Sequence, residues 1–159
     1  ITGGSGADTI TGGSGDDSIT GGAGADTFVV GQAGQSVITS TATMGTNIAN
    51  GDTLAFANGV DVITDFVSGV DHLNVATAGT NATSLIGLVK TLDLVTGTTY
   101  SILGTWSAGT FTVNSAATAA TANVATLIVE GDAGTLTPQT TTGYVVLVGV
   151  ASTVAADFV

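Results

Sequence analysis

The sequence predicts an all-β chain: a short parallel β-roll followed by an irregular β-rich C-terminal domain with one short helix. Three observations carry that prediction. Residues 3–29 repeat every nine positions, holding glycines, one aspartate and one apolar residue in register through three copies. From about residue 36 the nine-residue period gives way to short apolar and β-branched runs separated by Gly, Asn and Asp, the pattern of strands and turns. Apolar residues recur at helical spacing in one interval, Ser84 to Leu92. The expected division is a roll over residues 1–35 and a β-rich domain over 36–159.

The repeat justifies the roll. Gly3-Gly4-Ser5-Gly6-Ala7-Asp8-Thr9-Ile10-Thr11 is followed by Gly12-Gly13-Ser14-Gly15-Asp16-Asp17-Ser18-Ile19-Thr20 and by Gly21-Gly22-Ala23-Gly24-Ala25-Asp26-Thr27-Phe28-Val29. Glycines at the first, second and fourth slots let the backbone turn through positive φ and aim carbonyl oxygens inward. The aspartate at slot six adds a carboxylate, and a short strand then carries Ile10, Ile19 or Phe28 into a narrow core. Each turn lies opposite the one before, so copies one and three stack on one side and copy two stacks with a neighbour on the other. Stacked aspartates repel unless a cation sits between them. Two carboxylates with several carbonyls suit calcium, which takes six to eight oxygens, better than magnesium, which wants a tight octahedron and keeps its waters. A fourth copy decays at Gly31 to Ile38, where Gln32 replaces the second glycine and Ser36 the aspartate.

These residues resemble the calcium β-roll of the repeats-in-toxin (RTX) proteins, whose nonapeptide G-G-x-G-x-D-x-U-x is matched at every fixed slot in all three copies. The resemblance implies Ca²⁺ as the ligand. It implies ligand roles for Asp8, Asp17 and Asp26, together with backbone carbonyls of the turns around Gly4, Gly6, Gly13, Gly15, Gly22 and Gly24. Asp16 stands at a slot the pattern leaves free, and adds negative potential rather than a ligand.

The strands of the second region are expected at Val37–Ser40, Thr53–Ala57, Val60–Phe66, His72–Val75, Thr99–Leu103, Gly109–Val113, Ala125–Glu130 and Tyr144–Val150, with loops at 115–123 and 131–143. Asp61 to Leu73 resembles the D-x-I-x-D-F-x-x-G-x-D-x-L stretch that follows the roll in RTX exoproteins. Alternation of Val60, Val62, Thr64 and Phe66 puts those residues on one face and leaves Asp61 and Asp65 on the other. Asp65 and Asp71 are therefore candidate ligands of a further calcium site, with Asp52 and Asp61 as other acids at hand; turn and strand-end aspartates are the alternative. Thr126 to Asp132 and Tyr144 to Val150 resemble the last two strand motifs of a secretion-linked C-terminal domain. The ending Asp157-Phe158-Val159, an acid followed by apolar residues, resembles an uncleaved type I export signal.

Composition excludes several functions. Twelve acids face a single lysine or arginine, for a net charge of −11, so phosphate backbones and anionic membrane surfaces are repelled. There is no cysteine, which leaves a metal as the available staple. No apolar run is long enough to span a bilayer. The start at Ile1, without Met and in mid-repeat, leads us to expect the C-terminal piece of a longer protein. Catalysis is not expected. His72 is the only histidine, no cysteine offers a nucleophile, and no zinc-protease motif is present. Trp106, Tyr100 and Phe111 could form a carbohydrate patch but read more simply as core and hairpin residues, as do Phe56, Phe66 and Tyr144.

The resemblance and the Thr-, Ala-, Gly- and Val-rich composition imply a calcium-dependent structural module. It would sit at the C-terminus of a type I secreted surface protein of a Gram-negative bacterium, of surface-layer or adhesin type. Its partners would be calcium ions, the type I secretion machinery, and further copies or a cell-surface component. The alternative is the calcium and secretion module of an RTX exoenzyme, a protease or lipase whose catalytic domain lies upstream. Ice or ligand binding by threonine-lined strands is a weaker third, because the repeats lack paired threonines on one face.

Overall fold

Three glycine turns bring the chain back on itself so that short strands stack in two parallel sheets. The computed structural model describes residues 1–30, 37–40, 49–56, 59–75, 82–84, 99–130 and 143–159. The strands are β1 (Thr2–Ser5), β2 (Thr9–Thr11), β3 (Ser18–Ala23), β4 (Thr27–Val29), β5 (Val37–Ser40), β6 (Thr53–Phe56), β7 (Asp61–Ile63), β8 (His72–Asn74), β9 (Ala82–Ser84), β10 (Thr99–Ser107), β11 (Thr110–Val113), β12 (Val124–Glu130) and β13 (Tyr144–Val148). A 3-10 turn covers Ala155–Asp157. All-β character and the roll follow the sequence-based expectation. The proposed helix at 84–92 lies outside the described residues except for Ser84, which ends β9.

One sheet of the roll is β2-β4-β8, all parallel. The other begins β1-β3-β7, also parallel, and runs on through β13, β12, β10, β11, β6 and β5 as one ten-stranded sheet, with β9 on the edge of β10. The chain leaves the roll after β4 and returns as β7 and β8, which supply the next coil: Ile19 pairs with Ile63, and Phe28 with Leu73. The division expected at residue 35 therefore separates residues that share both sheets.

Strand β7 joins the two halves. One edge pairs with β3 and the other with β13. Its alternate side chains enter two cores. Ile63 joins Ile10, Ile19, Phe28, Phe66 and Leu73 between the sheets of the roll. Val62 packs against the second core, which holds Leu54, Tyr100, Phe111, Leu127 and Val146. Strands β12 and β13 also bury both faces, since Ile128, Val145 and Leu147 face the roll core while Leu127, Val129 and Val146 face the other. Burial on both faces explains the near-continuous apolar runs of these two strands. Phe28 and Phe66 meet with tilted rings 6.0 Å apart, and the chain end adds Phe158, bridged to Leu73, to the same core.

The sequence expectation for Asp61 is corrected by this topology. Asp61 is not on an outer face; it is buried at 5% exposure. Simple alternation presumes one wet face, and β7 has none. Tyr100 and Phe111 are core residues, and Trp106 is half-buried at the edge of that core.

Candidate metal centre

The glycine turns stack at backbone distance. Gly4 pairs with Gly22 and Ser5 with Ala23, and the Gly6 N–H donates to the Ala23 carbonyl at 2.6 Å. Gly22 and Gly24 both have positive φ, 105° and 140°, and a Cβ on either would strike the carbonyl of Gly4 or Gly6. Copies one and three thus lie one on the other, and only glycine permits that spacing. Gly4 also has a positive φ, 139°, but its Cβ would face open space. Gly22→Ala is therefore expected to cost more than Gly4→Ala. Backbone strain alone is worth about 1–3 kcal/mol at either position, and the clash adds to it only at Gly22. Thermal unfolding of the two variants in saturating calcium checks the order.

A ladder of aspartates follows the stack. The Asp8 N–H donates to Asp26 Oδ1 at 2.9 Å, and the Asp26 N–H donates to Asp71 Oδ1 at 2.9 Å. On the other side of the roll the Asp17 N–H donates to Asp61 Oδ1 at 3.3 Å. Asp26, Asp71 and Asp61 each use one oxygen to hold the coil before them. The second oxygens of Asp8 and Asp26 are buried and have no hydrogen-bond partner among the described residues. A Cβ on Gly3 would lie 2.5 Å from the Gly21 carbonyl oxygen and 2.8 Å from Asp8 Oδ2, and one on Gly21 would meet Asp26 Oδ2. Two bare carboxylate oxygens and a carbonyl oxygen thus gather around the Gly3 and Gly21 backbone. Such a donor set, all oxygen and doubly negative, fits a hard divalent cation of calcium's size. Among the described residues no three acids or histidines cluster at one point.

Asp65 and Asp71 stand beside this stack with other partners. Asp65 accepts from the Gly21 N–H through Oδ1 and from the Gly22 N–H through Oδ2, both at 2.8 Å. It holds the top of the last glycine turn. Asp71, buried at 4% exposure, accepts from Asp26 through Oδ1 and from Val67 N–H through Oδ2 at 2.8 Å. Asp52 accepts from the Ala49 N–H at 2.7 Å, an exposed local turn. Asp16 is exposed. His72 lies on β8, opposite Thr27.

Sequence reasoning left two acids without their roles. Asp61 takes the same place over Asp17 that Asp26 takes over Asp8. A signal for it exists: Asp61-Val62-Ile63 and Asp71-His72-Leu73 repeat the Asp-x-apolar of slots six to eight. Asp157, read as part of an export signal, is fully buried. It accepts from Ser68 Oγ and Gly69 N–H at 2.7 Å and from Val154 N–H at 2.8 Å. Phe158 is buried at 6% and Val159, exposed, donates its N–H to the Leu73 carbonyl.

Residues 1–33 match the family model of the RTX calcium-binding nonapeptide repeat (4 copies). The stacked glycine turns and Asp8, Asp17 and Asp26 lie within this match, to calcium-binding repeats of a kind that typifies secreted extracellular proteins; Asp61 and Asp71 lie outside it. No curated protein matches the chain. Among the described residues no helix is long and apolar enough to cross a membrane.

Proposed function

We propose that the chain is a calcium-triggered structural module of a type I secreted bacterial surface protein, of surface-layer or adhesin type, with no catalytic role of its own. One observation carries this reading: Asp8 Oδ2 and Asp26 Oδ2 are buried, without hydrogen-bond partners among the described residues, inside turns of calcium-binding repeats. A bare buried carboxylate is costly, and a bound calcium ion turns that cost into affinity. In a cytosol with submicromolar calcium, nothing offsets the repulsion or the entropy of ordering glycine turns, so the roll stays open for export. Outside, calcium is about millimolar. With a site constant of about 0.1 mM, each site contributes roughly 1.4 kcal/mol. Folding then draws Asp157 and Phe158 into the protein, so the segment that resembles an export signal is accessible only beforehand.

Composition supports the surface role. Lysine and arginine number one, cysteine is absent, and acids number twelve, which suits a protein that assembles through calcium. The partner is a further copy of the chain or a component of a Gram-negative cell surface. A non-catalytic role is supported by the shortage of proton carriers, since the only imidazole, His72, sits in a strand of the roll. Circular dichroism of the chain tests the calcium step. Millimolar calcium is expected to raise the β signal and chelator to remove it; the same spectrum in both conditions would refute the switch. Imaging the chain with calcium on cells and in solution tests the surface role, where ordered arrays or surface attachment are expected.

A further inference from the structure

We infer that a cleft between the second repeat and the β10–β11 hairpin binds an organic ammonium group, with Trp106 and Phe56 as its aromatic wall and Asp16 at its mouth. Such a site is independent of the calcium ions of the repeats and goes beyond a structural role. The cleft holds about 310 Å³, room for a small molecule or one long side chain. Phe56, Val60, Val62 and Trp106 line it on the apolar side, and Asp16 and Asp17 on the acidic side. The aromatic wall is fixed in place. Trp106 and Phe56 meet with tilted rings 6.2 Å apart, and Phe56 meets buried Tyr144 at 5.7 Å. The backbone N–H of Trp106 donates to the Asn123 carbonyl at 2.9 Å, and Trp106 pairs with Phe111 across the hairpin. Trp106 and Phe56 are both only half-buried, so part of each ring stays open to a ligand.

The chemistry of the lining selects the ligand. An aromatic face attracts a cation through its quadrupole, most strongly where water is partly excluded. A carboxylate beside the ring supplies the opposite charge. Among the described residues no lysine, arginine or histidine lines the cleft, and the chain sets twelve acids against one lysine or arginine. Calcium does not use up this charge. Asp16 stands at a slot the repeat leaves free, next to Asp17, so the repeat ligand and the carboxylate at the cleft mouth are different side chains. Gly59 lets that carboxylate lie close: its φ is +81°, and a Cβ there would overlap Asp16 Oδ1. A hydrated metal ion gains little from apolar walls, and a neutral apolar molecule gains little from the acids. An alkylated ammonium uses both.

Trp106 is the only tryptophan, so its fluorescence reports on the cleft. The whole chain, in calcium and at constant ionic strength, is titrated with choline and with its neutral carbon isostere, in which a tert-butyl group replaces the trimethylammonium. Choline is expected to change the emission saturably and to bind about tenfold more tightly than the isostere. Asp16→Asn is expected to weaken choline about threefold, the size of a solvent-exposed ion pair, with the number of bound calcium ions unchanged. Trp106→Leu, followed by calorimetry, is expected to weaken it about tenfold. Lysine blocked at both backbone ends distinguishes the sources of the cation. Binding tighter than choline assigns the cleft to a lysine side chain of a protein partner, and weaker binding assigns it to a free quaternary amine. No saturable response to either ammonium probe, equal affinity for choline and its isostere, a choline response untouched in either variant, or a response to methyl glucoside alone would overturn the site. Calcium titration of the same samples reads the repeats separately, so failure of the cleft and failure of the calcium reading are told apart.

Discussion

Asp26→Asn is expected to raise the calcium concentration needed to fold the roll by about tenfold or more, the largest effect of any single repeat residue. Tenfold corresponds to about 1.4 kcal/mol, and two losses contribute. Asp26 Oδ2 is one of the two bare buried oxygens, so a charged ligand disappears. Asp26 Oδ1 accepts the Asp8 N–H, and asparagine's amide oxygen can still accept it but as a neutral acceptor, which makes the weaker bond. The position is also the middle rung of the ladder, since its own N–H donates to Asp71. The sign reverses without metal. In chelator, the buried negative charge of Asp26 is a cost, and asparagine removes it. The variant should then show a β signal equal to or above that of wild type in chelator, while needing more calcium to complete folding. Circular dichroism across a calcium titration measures both. A midpoint unmoved by the substitution would refute the role given to Asp26.

The repeat made the first coils legible because each slot has one physical job. Positive φ demands glycine, the stack demands no Cβ at Gly22, and the core demands an apolar residue at Ile10, Ile19 and Phe28. Nine-residue spacing states all of this directly. The coil formed by β7 and β8 was harder to read for two reasons. It is separated from β4 by an excursion of the chain, and no local pattern says that a strand will return to a particular edge. Its two Asp-x-apolar units are ten residues apart rather than nine, so strict periodicity misses them. Alternation misled at Asp61 because β7 is covered on both faces, and a period of two cannot distinguish an outer face from a second buried one. The aromatic residues were read correctly as core because Tyr100 and Phe111 alternate inward on strands, with 7% and 0% exposure.

The chain end was legible only as a resemblance, and its packing makes the other large prediction. Asp157→Ala is expected to destabilise the calcium-loaded protein by about 3–5 kcal/mol, because it removes the acceptor from three donors at a fully buried position. Ser68 Oγ, Gly69 N–H and Val154 N–H would lose their partner together. Those donors lie in the turn that leads into β8 and in the segment that leads to Phe158, so the carboxylate ties the turn to the tail. Without it Phe158 should leave Leu73, and the Val159 amide should lose its bond to the Leu73 carbonyl. Hydrogen exchange localises the effect. The amides of Gly69 and Val159 are expected to lose protection in Asp157→Ala, while those of Gly6 and Thr27, which bond within the coils around Asp8 and Asp26, keep theirs. Val154→Ala, at a side chain 48% exposed, is the control and should change nothing beyond experimental error. If instead Gly69 and Val159 stay protected in the Asp157 variant, the tail is held by Phe158 alone and the buried carboxylate is not what fastens it.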